Sequence, residues 1–171
     1  MCMFHLDYQC HVPDMTKTQQ YKISEIKLTY THKVKAAERP KVTSSEMAYE
    51  LFRANWDDMT INLCEEFKIL LLDRNNACMG IVPISKGGVS GTIVDTKLIF
   101  ASALKAKASA IILGHNHPSG NLKASSSDKY LTNNLVQAGH VLSLPVLDHI
   151  ILADNGYLSF ADKNLLRVPV P

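Results

Sequence analysis

The sequence predicts a single α/β (α+β) domain in which a mixed β-sheet is sandwiched by helices. Three observations carry this expectation. Apolar runs of strand length alternate with longer stretches whose apolar residues recur at helical spacing. Turn residues punctuate the boundaries, as in Asp73-Arg74-Asn75-Asn76 and Asp154-Asn155-Gly156. A length of 171 residues, 46% of them hydrophobic, suffices for one real core and gives no reason for a second domain.

The elements follow in order. Residues 1–20 show no clear period, and Cys2, His5, Cys10 and His11 match no zinc-finger spacing, so a loosely ordered tail is expected there. The domain proper is expected over 21–171. It opens with a strand in which Ile26, Leu28 and Tyr30 alternate with Lys27 and Thr29. Thr43-Ser44-Ser45-Glu46 has the S/T-x-x-E form of a capping box, and Met47, Leu51 and Ala54 follow at helical spacing, predicting a helix over 44–56 with Trp56 as a core anchor. Ile61 to Asp73 reads as a strand carrying Glu65 in step with Leu63, Phe67, Ile69 and Leu71. After the turn at Asp73, a return strand over 77–85 completes a hairpin, and Gly87, Gly88 and Gly91 mark a loop or bulge.

Asp95 can cap a helix over 96–107 with Phe100, Ala103 and Leu104 inward. Ser109 to Gly114 reads as a short buried strand. A helix over 126–142 carries Leu131, Leu135, Ala138 and Leu142 on one stripe, with Gly139 weakening its last turn. Pro145 opens a strand over 146–153, and Tyr157 to Phe160 pairs back after the Asp-Asn-Gly turn.

Composition narrows the function classes. The formal net charge of +2 is too small to name nucleic acid as a partner. Residues 17–41 carry seven Lys or Arg against Glu25 and Glu38, which reads as a solvated strand face or, at most, a surface for weak DNA association. The four cysteines form no CxxC pair; Cys64 and Cys78, placed in strands, read as buried free thiols of a reducing compartment. There is no apolar run of membrane-spanning length and no apolar signal core in the amino-terminal residues, so the expectation is a cytoplasmic protein without membrane association.

The chemistry concentrates in His115-Asn116-His117-Pro118-Ser119-Gly120 and the residues up to Asp128. In extended chain, residues i and i+2 face the same side, so both imidazoles can reach one point. Asp128 follows His117 by eleven residues, at the start of a helical pattern. Two imidazoles and a carboxylate, with a fourth position open, form the ligand set of a catalytic zinc site; a structural site would be closed by a fourth protein ligand. The alternative is a pair of loop histidines that bind nothing. Zinc lowers the pKa of a coordinated water from ~15.7 toward ~7, and a nearby unligated carboxylate can shuttle the proton. Glu65 is the favoured shuttle and Glu66 its rival, since strand alternation sends the two to opposite faces. Ser125 fits a helix N-cap with Asp128 in the first turn. Asp148-His149 reads either as a pair that orients a metal-bound imidazole or as a structural polar pair.

The spacing His-x-His-Pro, six residues, Ser125, two residues, Asp128 resembles the JAMM (JAB1/MPN/Mov34) metalloprotease motif. The string from Gly114 to Lys123 is similar to the RadC-like branch of that superfamily. So are Glu65 to Asp73, the Ser85-to-Thr92 loop and Leu147-Asp148-His149, and the similarity covers residues 21–165. The resemblance implies a three-layer, cytidine-deaminase-like JAB/MPN fold with one Zn²⁺ per chain, held by His115, His117 and Asp128. It implies Glu65 as general base and acid, and Ser125 as donor to the developing oxyanion. Loss of such a donor costs roughly two to three orders of magnitude in rate. Ala124 departs from the proline that usually precedes the motif serine in RadC-like sequences. The amino-terminal helical region of longer RadC proteins has no counterpart in the residues covered.

The implied function is a zinc-dependent hydrolase of peptide or isopeptide bonds acting on a peptide or protein substrate. The DNA-repair label travels with the family name. Two other classes compete with it: a non-enzymatic interaction module on a JAMM fold, and a DNA-associated accessory protein or nucleic-acid enzyme. A zinc deaminase needs His-x-Glu and Pro-Cys-x-x-Cys, and neither occurs. HNH nucleases spread those letters across a ββα unit, whereas here they are adjacent.

Overall fold

Strand β1 (Glu66–Leu72) is buried along its whole length, which marks it as the middle of a sheet covered on both faces. The computed structural model describes residues 34–88 and 92–166. The tail, the strand expected over 21–30, most of the basic stretch and Gly91 lie outside the described residues.

β1 pairs antiparallel with β2 (Cys78–Lys86) on one side and with β3 (Ala110–Asn116) on the other. β3 pairs parallel with β4 (Val146–Ala153), and β4 pairs antiparallel with β5 (Gly156–Ser159), so the mixed sheet runs β2-β1-β3-β4-β5. Helix α1 (Ser45–Ala54) covers one face, with Ala48 and Phe52 packed against Leu70, Leu72, Ile112, Ile150 and Leu152. Helices α2 (Thr96–Lys105) and α3 (Ser126–Val141) cover the other, against Phe67, Ile69, Leu71, Ile111 and Leu113. The result is the three-layer α+β arrangement expected of a JAB/MPN-like fold.

Alternation along β1 and β3 sorts the side chains. Phe67, Ile69, Leu71, Ile111 and Leu113 face α2 and α3, while Leu70, Leu72, Ala110 and Ile112 face α1. His115 continues the first set and Asn116 the second.

Several boundaries differ from expectation. Ile61 to Cys64 form turns rather than strand, and Leu63 is exposed. The side chain of Asn116 takes the carbonyls of Ile61 and Cys64, which holds this segment out of the ladder. Cys64 is therefore a buried free thiol in a turn, not in a strand. The α1 cap is Ser44, whose side chain accepts from the Met47 amide, one residue after the Thr43 of the sequence pattern. In α2, Ile99, Phe100 and Ala103 are buried, whereas Leu104 is half exposed. Leu142 ends α3 exposed, while Leu135 is buried and Leu131 and Ala138 pack against the core.

Two glycines are fixed by close approach. A Cβ on Gly114 would lie 2.6 Å from the Phe52 ring, so β3 can pass under α1 only with hydrogen at that position. A Cβ on Gly139 would lie 2.5 Å from the Leu144 carbonyl oxygen, where the chain turns back after α3. Gly139 thus serves the tight return into β4 rather than merely weakening the helix. No helix among the described residues is long and apolar enough to cross a membrane.

Candidate metal centre

His115 lies inside β3, not in the loop after it, and is 2% exposed. Its register partner on β1 is Phe67. The ring therefore emerges beneath α3 on the sheet face that carries Phe67 and Leu113. His117 follows one residue past the strand end on the same side, and Pro118 begins the turn closed by the Gly120 amide on the His117 carbonyl. The Nε2 atoms of His115 and His117 are 2.9 Å apart.

Asp128 completes the cluster from the first turn of α3. Its Oδ1 is 3.4 Å from His115 Nε2 and its Oδ2 is 3.6 Å from His117 Nε2. Ligand atoms from these three residues all lie within 4.8 Å of one another. The aspartate also closes a capping box. Ser125 Oγ accepts from the Asp128 amide at 3.1 Å, and Asp128 Oδ2 accepts from the Ser125 amide at 2.7 Å. The two uses of Asp128 are compatible, because the oxygen that caps the helix keeps its other lone pair toward the histidines. Ser125 likewise accepts through its oxygen and retains a hydroxyl hydrogen to donate.

The donor chemistry suits a metal. His117 Nδ1 lies 2.6 Å from the Asn121 carbonyl, which can only accept; in the neutral ring the proton therefore sits on Nδ1 and Nε2 keeps its lone pair. Burial opposes ionisation of Asp128, but the hydrogen bonds that protonated His115 and His117 rings give it outweigh burial, and the carboxyl is held far below the usual carboxylate range. Conversely, the hydrogen bond to Asp128 outweighs burial at His117 and raises its pKa. A half-buried carboxylate beside two imidazole nitrogens offers the negative, lone-pair-rich pocket that a divalent cation needs.

The glutamates separate as alternation requires. Glu65 immediately precedes β1, fixed by its carbonyl accepting from the Gly87 amide at 2.8 Å. Its side chain lines the same cleft, of about 510 Å³, as His115, His117, Ser125 and Asp128, with Val94 and Leu131 supplying apolar wall. It is not one of the three converging ligands. Glu66 points to the α1 face, where Thr60, Lys68 and Lys86 bind its carboxylate at 2.8, 3.2 and 3.0 Å.

Asp148 and His149 also part company. Leu147 is unpaired in a bulge between the Val146 and Asp148 pairings, which turns Asp148 away from the centre. The Asp148 carboxylate accepts from the His149 and Ala161 amides and from Ser159 Oγ, and so shapes the turn after β5. His149, fully buried, instead places Nε2 at 2.8 Å from His115 Nδ1. Thr132 of α3 stands behind it, Oγ1 to Nδ1 at 2.6 Å. Sequence reasoning passed over Thr132, whose only signal is its place one helical turn after Asp128.

Asn116 is fully buried on the α1 face and serves the loop. It holds the segment bearing Glu65 through three hydrogen bonds.

The chain is similar to known proteins over most of its length. A family model described as a RadC-like JAB domain matches residues 42–165. The chain is 38% identical over 125 residues to a UPF0758 protein of Flavobacterium johnsoniae, covering 73% of this chain and 53% of that protein. It is 40% identical over 129 residues to a UPF0758 protein of Porphyromonas gingivalis, covering 75% and 56%. A UPF0758 protein of Clostridioides difficile is 30% identical over 165 residues, covering 91% and 70%. The chain spans about half the length of several of these curated relatives.

Proposed function

The chain belongs to the RadC-like JAB domain family, and on that premise we propose that it is a zinc-dependent hydrolase of peptide or isopeptide amide bonds. One observation carries the reading. Glu65 and the triad of His115, His117 and Asp128 share one cleft, while Glu66 is engaged elsewhere by lysines.

The triad would hold one zinc ion per chain through two imidazole nitrogens and one carboxylate. Bound there, zinc supplies a Lewis acid that acidifies water and polarises a carbonyl. Everything else falls to the chain. Glu65 takes the proton of the attacking water and returns it to the departing amide nitrogen, so one carboxylate serves as base and then acid. Ser125, with its oxygen lone pair committed to the Asp128 amide, turns its hydroxyl hydrogen toward the substrate oxygen as negative charge grows there. Val94 and Leu131 give a substrate chain apolar surface beside the reacting bond. A peptide or protein is the substrate class that this constellation fits.

The test is an unbiased peptide-cleavage screen with the zinc-loaded full chain and its Glu65→Gln variant. Cleavage by the natural chain, reduced in the variant by about 10²–10⁴-fold with zinc content unchanged, is expected. Equal cleavage by both removes Glu65 from the mechanism. Absence of cleavage by the zinc-loaded natural chain on all peptides counts against the hydrolase.

A further inference from the structure

A metal-binding imidazole must present a bare nitrogen, and which nitrogen is bare is set by what the other one touches. For His117 a backbone carbonyl decides. For His115 the partner is a second imidazole, His149, at 2.8 Å. That contact alone decides nothing, since either ring can donate. Run one way, it leaves His115 Nε2 bare and facing the centre. Run the other way, it leaves a proton on that atom, where the ion must bind.

The ambiguity ends at Thr132. Its Oγ1 donates to the Asp128 carbonyl at 2.6 Å, the acceptor one helical turn back. A hydroxyl has one hydrogen, so toward His149 Nδ1, at 2.6 Å, Oγ1 can only accept. His149 then carries its proton on Nδ1 and leaves Nε2 bare. His115 must donate from Nδ1, so its neutral ring turns a bare Nε2 toward Asp128 and His117.

We propose that Thr132 and His149 are positioning residues which set the tautomer of His115 so that the triad can take a metal. The chain of bonds leaves the backbone of one ligand, Asp128, and returns through His149 to another, His115. The ring of His149 is kept in plane by aromatic neighbours: Phe160 stacked at 4.8 Å and Phe67 edge-on at 5.6 Å between centroids. The inference rests on the metal-centre reading above, but its first readout is independent of metal.

The test uses the ¹⁵N-labelled full chain, metal-free and mildly alkaline, with long-range ¹H–¹⁵N correlations reporting imidazole tautomers. His149 is expected to carry its proton on Nδ1 in the natural chain and in Thr132→Ser, which keeps the hydroxyl. Thr132→Val, of nearly the same shape, is expected to show a mixture. Competition with a chelator should then find zinc bound about 10–100-fold more weakly by Thr132→Val, and restored by Thr132→Ser to within about three-fold. A proton on Nε2 of His149 in the natural chain overturns the proposal, and so does a Thr132→Val protein with unchanged tautomer and unchanged zinc affinity. A natural chain that takes up no zinc refutes the metal centre, while the tautomer spectrum still decides the relay.

Discussion

The Asn116 carboxamide oxygen accepts the backbone N–H of Glu66 at 2.7 Å, joining residues fifty apart in sequence. The same side chain donates to the carbonyls of Ile61 and Cys64 at 2.6 and 2.9 Å. The residue between the two clustered histidines thus fastens, through the opposite face of the sheet, the segment that presents Glu65. Asn116→Ala strands at least one buried backbone group, each worth about 1–3 kcal/mol. Urea unfolding should show a loss of at least about 1 kcal/mol. Zinc content should stay at the natural value while cleavage falls, because the triad is intact and Glu65 is not.

Ser125 offers a way to separate cap from catalyst. Ser125→Ala should cost about 1 kcal/mol of stability, whereas Ser125→Gly should cost only a few tenths. Both remove the hydroxyl that would face the substrate. If that hydroxyl acts in the reaction, cleavage falls by about 10²–10³-fold in both variants. Cleavage that follows thermal stability, near normal in Ser125→Gly, would leave the serine only its cap.

Gly114 and Phe52 should behave as a coupled pair. A methyl at Gly114 meets the Phe52 ring at 2.6 Å, an overpacking of the kind that costs about 1–3 kcal/mol. Adding Phe52→Leu to Gly114→Ala should cost less than the two single changes summed, as measured in a double-mutant cycle of urea midpoints. Strict additivity would show that β3 and α1 can separate without strain.

Glu66 gives the fold a pH dependence of known sign. Burial would raise its carboxyl, but hydrogen bonds from Lys86, Thr60 and Lys68 outweigh burial and leave it below the ordinary value of 4.5. A depressed carboxylate stabilises fully above its unfolded value and loses that contribution as pH falls through the folded one. Unfolding free energy measured downward from pH ~5 should therefore drop more steeply for the natural chain than for Glu66→Gln. Parallel curves would contradict the assignment.

Much of this was legible in the residues, and the rest was hidden for identifiable reasons. Strand alternation alone separated Glu65 from Glu66, because neighbouring residues of an extended chain face opposite sides. The 146–153 strand and the Asp-Asn-Gly turn were set by local chemistry and stand where expected, and so do the two Nε2 atoms of His115 and His117 on one side. Ile61 to Cys64 misled because its apolar residues imitate a strand, while the contacts that bend it come from Asn116, more than fifty residues on. Asp148 and His149 looked like one unit; alternation sends them to opposite faces, and the unpaired Leu147, a bulge no local pattern announces, decides that His149 and not Asp148 meets the centre. Thr132 was invisible for the same reason. Its hydroxyl matters only because β4 places His149 beside α3.

The measurement closest to the central claim is the metal content of the purified full chain. Element-specific mass spectrometry after exhaustive dialysis against trace zinc should find close to one zinc per natural chain, and near none after His115→Ala or Asp128→Ala, with circular dichroism confirming that both variants keep their fold. A natural chain that retains no zinc, or variants that retain as much as it does, would contradict the account.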